Sequence, residues 1–298
     1  MLMAFHPSIY LFFISLCSSI FLASSTNSWF MAWLALEINL LSFIPLLLNN
    51  SKYSSESALK YFLTQTLASI IVLGSSLLGL VWLPVLSSVS LMLALLLKVG
   101  AAPTHQWLPA VAEGLPWPQV FVLLTIQKLA PLILITYLVS KNFIFTVVTV
   151  YMVFSAVFGS LGGLIHPSLR KILSFSSIAH MSWVLASIQY SDFLWTSYFF
   201  LYILILISVI YSFTLTNSNK LSHLINGPIN FFQALLLVLP LLSLGGLPPF
   251  LGFVPKFLVL QQLMDHRSSF VFFVLLCSTL VSLFFYLRVS VMAILSHS

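Results

Sequence analysis

The chain has 298 residues, of which 60% are hydrophobic, 15% aromatic and only 5% charged. About a quarter of the residues of a soluble domain are charged, so this composition excludes a water-facing globule. The formal net charge of +6 does not indicate nucleic-acid binding, because the only adjacent basic pair is Arg170-Lys171 and phosphate recognition needs a basic patch. The composition predicts an integral membrane protein.

Apolar stretches separated by polar or Gly/Pro clusters follow one another along the whole chain. A crossing needs roughly 20 residues, and backbone polar groups in lipid must be satisfied within the segment, so we interpret the stretches as about ten transmembrane helices. The predicted spans are 8–25, 28–48, 58–82, 84–111, 117–139, 142–163, 170–190, 193–216, 229–264 and 268–294. We expect an all-α integral membrane protein, with residues 1–298 forming a single transmembrane domain.

The first stretch, 8–25, has the apolar character of a secretory signal peptide. However, the segment from Met1 to His6 contains no Lys or Arg, whereas a signal peptide begins with a basic region. We therefore expect this stretch to be retained as the first helix.

Basic residues between the predicted spans are unevenly distributed. One side, which is the side of both termini, carries Lys52, Lys60, Arg170, Lys171 and Lys220. The other side carries Lys141 and Arg267. Because short loops rich in Lys and Arg stay on the inner side of a membrane, we expect both termini to face the inner compartment.

Two of the predicted spans have the sequence of broken helices. Span 84–111 contains Lys98-Val99-Gly100-Ala101-Ala102-Pro103, and span 229–264 contains Gly245-Gly246-Leu247-Pro248-Pro249 shortly before Lys256. Proline removes a backbone donor and clashes with the preceding turn. Non-helical backbone at membrane depth occurs where it lines a cavity or is buried in protein, and in transporters it marks the binding site. A kink without function is the alternative, but a lysine beside each break favours a functional role.

Four charged side chains lie deep in the predicted spans or beside a helix break, and they are Glu37, Lys98, Lys128 and Lys256. Each costs about 2.5–3.5 kcal/mol at the bilayer centre, so we expect these groups to be paired or to meet water. The alternative is that a lysine reaches the headgroups with its long side chain. That alternative suits Lys60, near a span end, and does not suit Lys128 in mid-span.

The chemistry of these groups is suited to proton transfer. Apolar surroundings disfavour the charged form of a lysine, and a nearby carboxylate favours it. A lysine whose carboxylate partner moves can therefore take up and release a proton. Glu37 is the only carboxylate deep in a predicted span, and the sequence leaves open which lysine it accompanies.

Two histidines form a second group of candidates. His180 shares a helical face with Ser176, Ser177 and Ser187, and His105 follows the first break. An imidazole gains and loses a proton near neutral pH, as a relay requires. For each histidine the alternative is an interhelical hydrogen bond without a role in proton transfer.

Five motifs occur in a fixed order along nearly the whole chain. They are ALKYFLTQ (58–65), KVGAAPTHQWLP (98–109), QKLAP (127–131), LRKILSFSSIAHM (169–181) and LGGLPPFLGFVPK (244–256). Together they resemble the NADH–ubiquinone oxidoreductase chain 2 family, the antiporter-like membrane subunits of respiratory complex I, in their mitochondrially encoded animal form.

This resemblance implies a proton-translocating, non-redox subunit of NADH:ubiquinone reductase in the mitochondrial inner membrane, with both termini on the matrix side. It implies no cofactor in this chain. It also implies other membrane subunits of complex I and lipids as partners, and neither nucleic acid nor a homo-oligomer. The residues that correspond by position to the family's charged axis and its neighbouring histidines are Glu37, Lys98, Lys128, Lys256, His180 and His105.

Two features depart from the family pattern. Ala110 stands where animal relatives usually carry an acidic residue, with Glu113 nearby, and the chain ends soon after Arg288, where relatives usually have a further helix. These departures concern contacts outside the charged axis.

Two other functions are compatible with the residues. A free-standing cation/proton antiporter would be favoured by a second carboxylate in a span, and the sequence has none besides Glu37. A membrane subunit that serves only packing or assembly would have dispensable buried lysines.

Overall fold

The computed structural model describes residues 7–48, 51–80, 84–139, 142–226 and 230–295. Within these ranges the chain is almost entirely helical, and its only β-type pairing is an isolated bridge between Ser168 and Lys220. In chain order the helices are α1 (Pro7–Ser25), α2 (Trp29–Leu47), α3 (Lys52–Leu80), α4 (Pro84–Val99), α5 (Trp107–Gly114), α6 (Trp117–Leu124), α7 (Ile126–Val139), α8 (Asn142–Ile165), α9 (Leu169–Ile188), α10 (Asp192–Leu215), α11 (Leu221–Asn226), α12 (Phe231–Gly245), α13 (Phe253–Asp265) and α14 (Ser269–Leu295).

The predicted all-α membrane fold is confirmed. Across the described ranges, 7 segments are helical, long and apolar enough to cross a membrane, and α6 and α7 together form one of them. Shorter apolar helices lie at Ile9–Ser25, Pro84–Val99 and Phe231–Gly245. Long apolar segments and short apolar helices together match the predicted number of spans, and the chain is a multi-pass membrane protein.

Some predicted boundaries differ from the structure. Helix α3 begins at Lys52 rather than at residue 58, because its polar first turns are also helical and an ion pair of 2.6 Å joins Glu56 to Lys60. Such i,i+4 pairs stabilise an exposed helix. The short helix α11 lies in the polar connection between the predicted spans 193–216 and 229–264. The predicted boundaries at residues 82 and 229, as well as Lys141, lie outside the described residues.

Both predicted helix breaks are present, at residues 100–106 between α4 and α5 and at residues 246–252 between α12 and α13. Each begins with a glycine, Gly100 or Gly246, at a φ of 78°, a conformation that side chains disfavour. Three residues later each has a proline, Pro103 or Pro249, after a cis peptide bond. The two breaks therefore share one local construction.

A third interruption lies inside the span predicted as a continuous helix over 117–139. It separates α6 from α7 at Thr125, whose φ and ψ are −119° and −78° and whose Oγ1 donates to the carbonyl of Phe121 at 2.7 Å. Further along, Pro131 lies within α7, so the carbonyl of Gln127 lacks its usual i+4 donor. The sequence signal for an irregular helix was this proline.

The described chain forms two compact units. Unit 1 comprises the described residues up to 100 and from 104 to 147, and unit 2 comprises residues 101–103 and the described residues from 148 onwards. In unit 1, α3 packs on α2, α4 and α5, while α7 packs on α1, α2 and α4. In unit 2, α9 contacts α10, α13 and α14 and is buried along nearly its whole length. The prediction of a single transmembrane domain stays a prediction.

The serine hydroxyls of α9 donate to carbonyls within the same helix. The hydroxyl of Ser176 donates to the carbonyl of Leu173 at 2.8 Å, and that of Ser177 donates to the carbonyl of Ser174 at 2.7 Å. Such bonds to the preceding turn let serine lie in a buried helix. The central helix of unit 2 is therefore polar in sequence and still buried.

The basic residues in and beside the connections of unit 2 lie at opposite ends of α9. At its start, the Leu169 amide donates to the carbonyl of Asn219 at 3.1 Å, and Arg170 donates to the Asn219 side chain at 2.8 Å. At its other end, the ring of Tyr190 stacks on His266, next to Arg267. The connections carrying Arg170 and Lys220 thus lie at the end opposite Arg267, as the predicted topology requires; the compartments themselves stay a prediction.

Candidate functional site

The three candidate lysines are all buried. Lys98, Lys128 and Lys256 expose 5%, 1% and 7% of their surface. Each lies beside a helix interruption, since Lys98 is in the last turn of α4, Lys128 in the first turn of α7 and Lys256 in the first turn of α13. Helix ends carry backbone groups without intrahelical partners. The fold therefore places each buried lysine where polar backbone groups are available inside the protein.

Lys256 binds the end of the preceding helix. Its Nζ donates to the carbonyl oxygens of Leu244 at 2.9 Å and of Gly245 at 3.0 Å, the last residues of α12. These carbonyls form the negative end of the helix dipole. Gly246 makes room for this contact, because a Cβ there would lie 2.8 Å from Cδ of Lys256. The lysine thus stabilises the second helix break.

The end of α4 is stabilised by other groups. The indole of Trp107 donates to the carbonyl of Leu97 at 3.0 Å, and the amide of Gln65 donates to the carbonyl of Lys98 at 3.4 Å. The backbone amide of Gly100 also donates to Leu96 at 3.0 Å and to Leu97 at 3.1 Å. The Lys98 side chain is therefore not needed as a helix cap.

The side chain of Lys98 lines a small cavity in unit 1. The cavity measures about 10 Å³, which is the size that holds one water molecule. Its other lining residues are Leu36, Asn39, Leu40, Tyr61, Gln65, Gln127 and Pro131. The lysine therefore faces polar side chains from several helices of unit 1.

Glu37 lies half-buried on α2. Its carboxylate is not in ion-pair contact with Lys98, in contrast to the exposed pair of Glu56 with Lys60 at 2.6 Å. Leu36, the residue before Glu37, lines the cavity at Lys98. The pairing of Glu37 with one of the lysines stays a prediction.

Lys128 differs from Lys256 because its Nζ is buried and has no hydrogen-bond partner among the described residues. Removing an ammonium from water costs several kcal/mol unless partners compensate. An ionisable group in such a place within a membrane protein is by default a functional candidate, often part of a proton relay. Among the candidates, Lys128 is the one for which a structural role has the least support.

His180 lies in unit 2 close to Lys256. Its Nδ1 is 2.9 Å from the hydroxyl of Tyr198, and its ring packs on Tyr202 with centroids 5.0 Å apart. His180 and Lys256 line one cavity of about 10 Å³, together with Tyr286 and three further hydroxyl-bearing residues of α14. The structure thus brings the predicted histidine and the third lysine to a common polar cavity.

His105 has a different position. It is half-buried in the first break, where its carbonyl accepts a hydrogen bond from the amide of Leu108 at 3.0 Å. It lines neither the cavity at Lys98 nor the cavity at Lys256. The role of His105 in proton transfer stays a prediction, and the cavities at the two lysines give it no further support.

Comparison with known proteins decides the family. A family model described as NADH:quinone oxidoreductase/Mrp antiporter, TM, matches residues 80–282. The NADH-ubiquinone oxidoreductase chain 2 of Anopheles gambiae is 44% identical over 292 residues, covering 94% of this chain and 84% of that protein. The chain belongs to the NADH-ubiquinone oxidoreductase chain 2 family. The resemblance inferred from the five sequence motifs is confirmed.

Solved structures show that the chain 2 fold extends beyond close relatives. A chain of respiratory complex I from Thermus thermophilus with bound Aureothin matches with a TM-score of 0.85 at 23% identity, covering 98% of this chain and 72% of that chain. A chain of the Mrp complex from Dietzia sp. DQ12-45-1b matches with a TM-score of 0.77 at 18% identity, covering 92% of this chain and 58% of that chain. The antiporter-like fold is thereby confirmed.

Several polar residues near the charged side chains of this chain 2 family member were not recognised from its sequence. They are Asn39, Tyr61 and Gln127 in unit 1 and Tyr198 in unit 2. Asn39 lies two residues after Glu37, and Gln127 directly precedes Lys128. That proximity was the only available signal, because the partners of these side chains lie on other helices.

Proposed function

We propose that this chain is a proton-translocating membrane subunit of respiratory NADH:ubiquinone oxidoreductase, complex I, in which Glu37, Lys98, Lys128 and Lys256 carry protons. The observation that carries the proposal is the burial of Lys128 without a hydrogen-bond partner among the described residues. A group placed this way is costly to keep in a membrane protein unless it has a function. The name of the Anopheles gambiae relative supports the enzyme.

The charged residues that we propose as proton carriers have different surroundings in the two units. In unit 1, we assign Glu37 to Lys98 as its carboxylate partner, and Lys98 lines a cavity with polar walls. In unit 2, the Lys256 ammonium is bound by two helix-end carbonyls and shares a cavity with His180. Each unit therefore contains a lysine next to a polar cavity, as a proton-transfer pathway requires.

The chain itself supplies no redox step in this proposal. It acts as a non-redox subunit of the proton-translocating NADH:ubiquinone reductase, with other membrane subunits of complex I and lipids as its partners. We place it in the mitochondrial inner membrane with both termini facing the matrix. The grouping of Arg170, Lys171 and Lys220 away from Arg267 supports this orientation.

The related antiporter fold makes a free-standing cation/proton antiporter the competing function. Purification from mitochondria in mild detergent, followed by reconstitution into vesicles, distinguishes the two. We expect the chain to purify with a large assembly that oxidises NADH and acidifies one side of the vesicle membrane. A chain that purifies alone and exchanges cations for protons without NADH would overturn the proposal.

A further inference from the structure

The cavity beside Lys98 has polar walls on several helices. Asn39 comes from α2, Tyr61 and Gln65 from α3, and Gln127 from α7. At about 10 Å³ the cavity is large enough for one water molecule, provided that two to four polar groups bind it. The question is whether the surrounding atoms supply those groups.

Two buried polar atoms at this cavity have no hydrogen-bond partner among the described residues. They are Oδ1 of Asn39, an acceptor, and Nε2 of Gln127, a donor. Asn39 exposes only 3% of its surface. Buried polar groups in native proteins are nearly always bonded to protein or to ordered water. A donor and an acceptor that line one cavity match the two kinds of bond that a water molecule makes.

The orientation of the Gln127 amide is determined by Tyr61. The Tyr61 hydroxyl donates to Oε1 of Gln127 at 2.9 Å. This bond fixes which end of the amide is the oxygen, so the nitrogen Nε2 is the opposite end and acts as the donor. Tyr61 is itself held by edge-on contacts with Phe43 at 5.2 Å and with Trp107 at 5.9 Å between ring centroids. The donor end of the amide is thus fixed by a buried, well-packed side chain.

We infer that Asn39 and Gln127, with Tyr61 as the residue that positions the amide, form a binding site for an ordered water molecule beside Lys98. The water accepts from the Gln127 amide and donates to the Asn39 oxygen, which leaves its second lone pair and second hydrogen for the Lys98 amine. The amine of Lys98 exchanges its proton only with a group within hydrogen-bond distance, and the water is such a group. The functional importance of the water therefore rests on the proposed function of Lys98 as a proton carrier.

The first test is structural. A cryo-electron microscopy map of the assembled enzyme, at a resolution that shows ordered water, should contain density between Asn39 and Gln127 next to Lys98. The density should disappear in Gln127→Met, which keeps the length of the side chain and removes its donor. A map of equal quality without density there, or density that persists in the variant, would refute the water site.

The second test is functional and has a matched control. Per assembled enzyme, we expect Gln127→Met to slow NADH oxidation coupled to proton translocation by about fivefold to tenfold, the effect of losing one well-placed hydrogen bond. Gln119→Met is the control, because Gln119 is also a glutamine inside unit 1 but donates to the carbonyl of Leu46 and does not line the cavity. If both variants lower only the amount of assembled enzyme, Gln127 has a structural role alone and the inference is wrong.

A variant that fails to assemble does not end the test. Tyr61→Phe preserves the packing of the ring and removes the hydroxyl that orients the amide, so it should weaken the water density and reduce the coupled rate in the same direction. An assembled Tyr61→Phe enzyme with full rate and full density would contradict the positioning role. If the water site is refuted, the proposed function still predicts that Lys128→Met impairs proton translocation. The two failures are therefore distinguishable.

Discussion

At the level of single residues, the buried lysines differ in how their ammonium groups are held. Lys256 is bound by two carbonyls at the end of α12, whereas Lys128 has no partner among the described residues. The sequence presents both as isolated lysines in apolar surroundings. The difference in hydrogen bonding between the two ammonium groups is therefore visible only in the folded chain.

Lys256→Met should destabilise the protein, whereas Lys128→Met should not. The first substitution leaves the carbonyls of Leu244 and Gly245 without their donor, at a cost of about 1–3 kcal/mol for each buried unsatisfied group. The measurement is the temperature at which the assembled enzyme loses NADH oxidation. Equal inactivation temperatures for the two variants would show that Lys256 does not stabilise the second break.

At the level of helices, the two predicted breaks share a glycine at positive φ, a proline three residues later and a second helix that resumes after the same number of residues. Gly and Pro patterns made these breaks predictable, because both residues restrict the backbone locally. The interruption at Thr125 was missed because threonine is compatible with a helix. Its only sequence signal, Pro131, lies in the next helix.

Gly246→Ala tests the construction of the second break. A Cβ at this position meets Lys256 at 2.8 Å, and the φ of 78° disfavours any side chain, so we expect a loss of about 1–3 kcal/mol in stability. Gly74→Ala is the matched control, because nothing lies within 4 Å of a Cβ there and alanine favours a helix interior. Equal thermal inactivation of the two variants would contradict this account of the break.

At the level of the whole molecule, composition and the lengths of the apolar runs were sufficient to predict the helical membrane fold, because lipid leaves the backbone few alternatives. The charged candidates were also predictable, since an ionisable residue in an apolar span is rare. Their partners were not. The contacts of Tyr198 with His180 and of Tyr61 with Gln127 join different helices and follow from packing that no single segment encodes.

The central claim is that the buried lysines move protons in an assembled respiratory enzyme. The most direct test is the number of protons translocated per NADH oxidised by assembled Lys128→Met enzyme in vesicles. Lys60→Met serves as the control, because Lys60 is half-exposed and paired with Glu56 on the surface. We expect a sharply reduced proton-to-electron ratio for Lys128→Met and an unchanged ratio for Lys60→Met. An unchanged ratio in fully assembled Lys128→Met enzyme would contradict the claim.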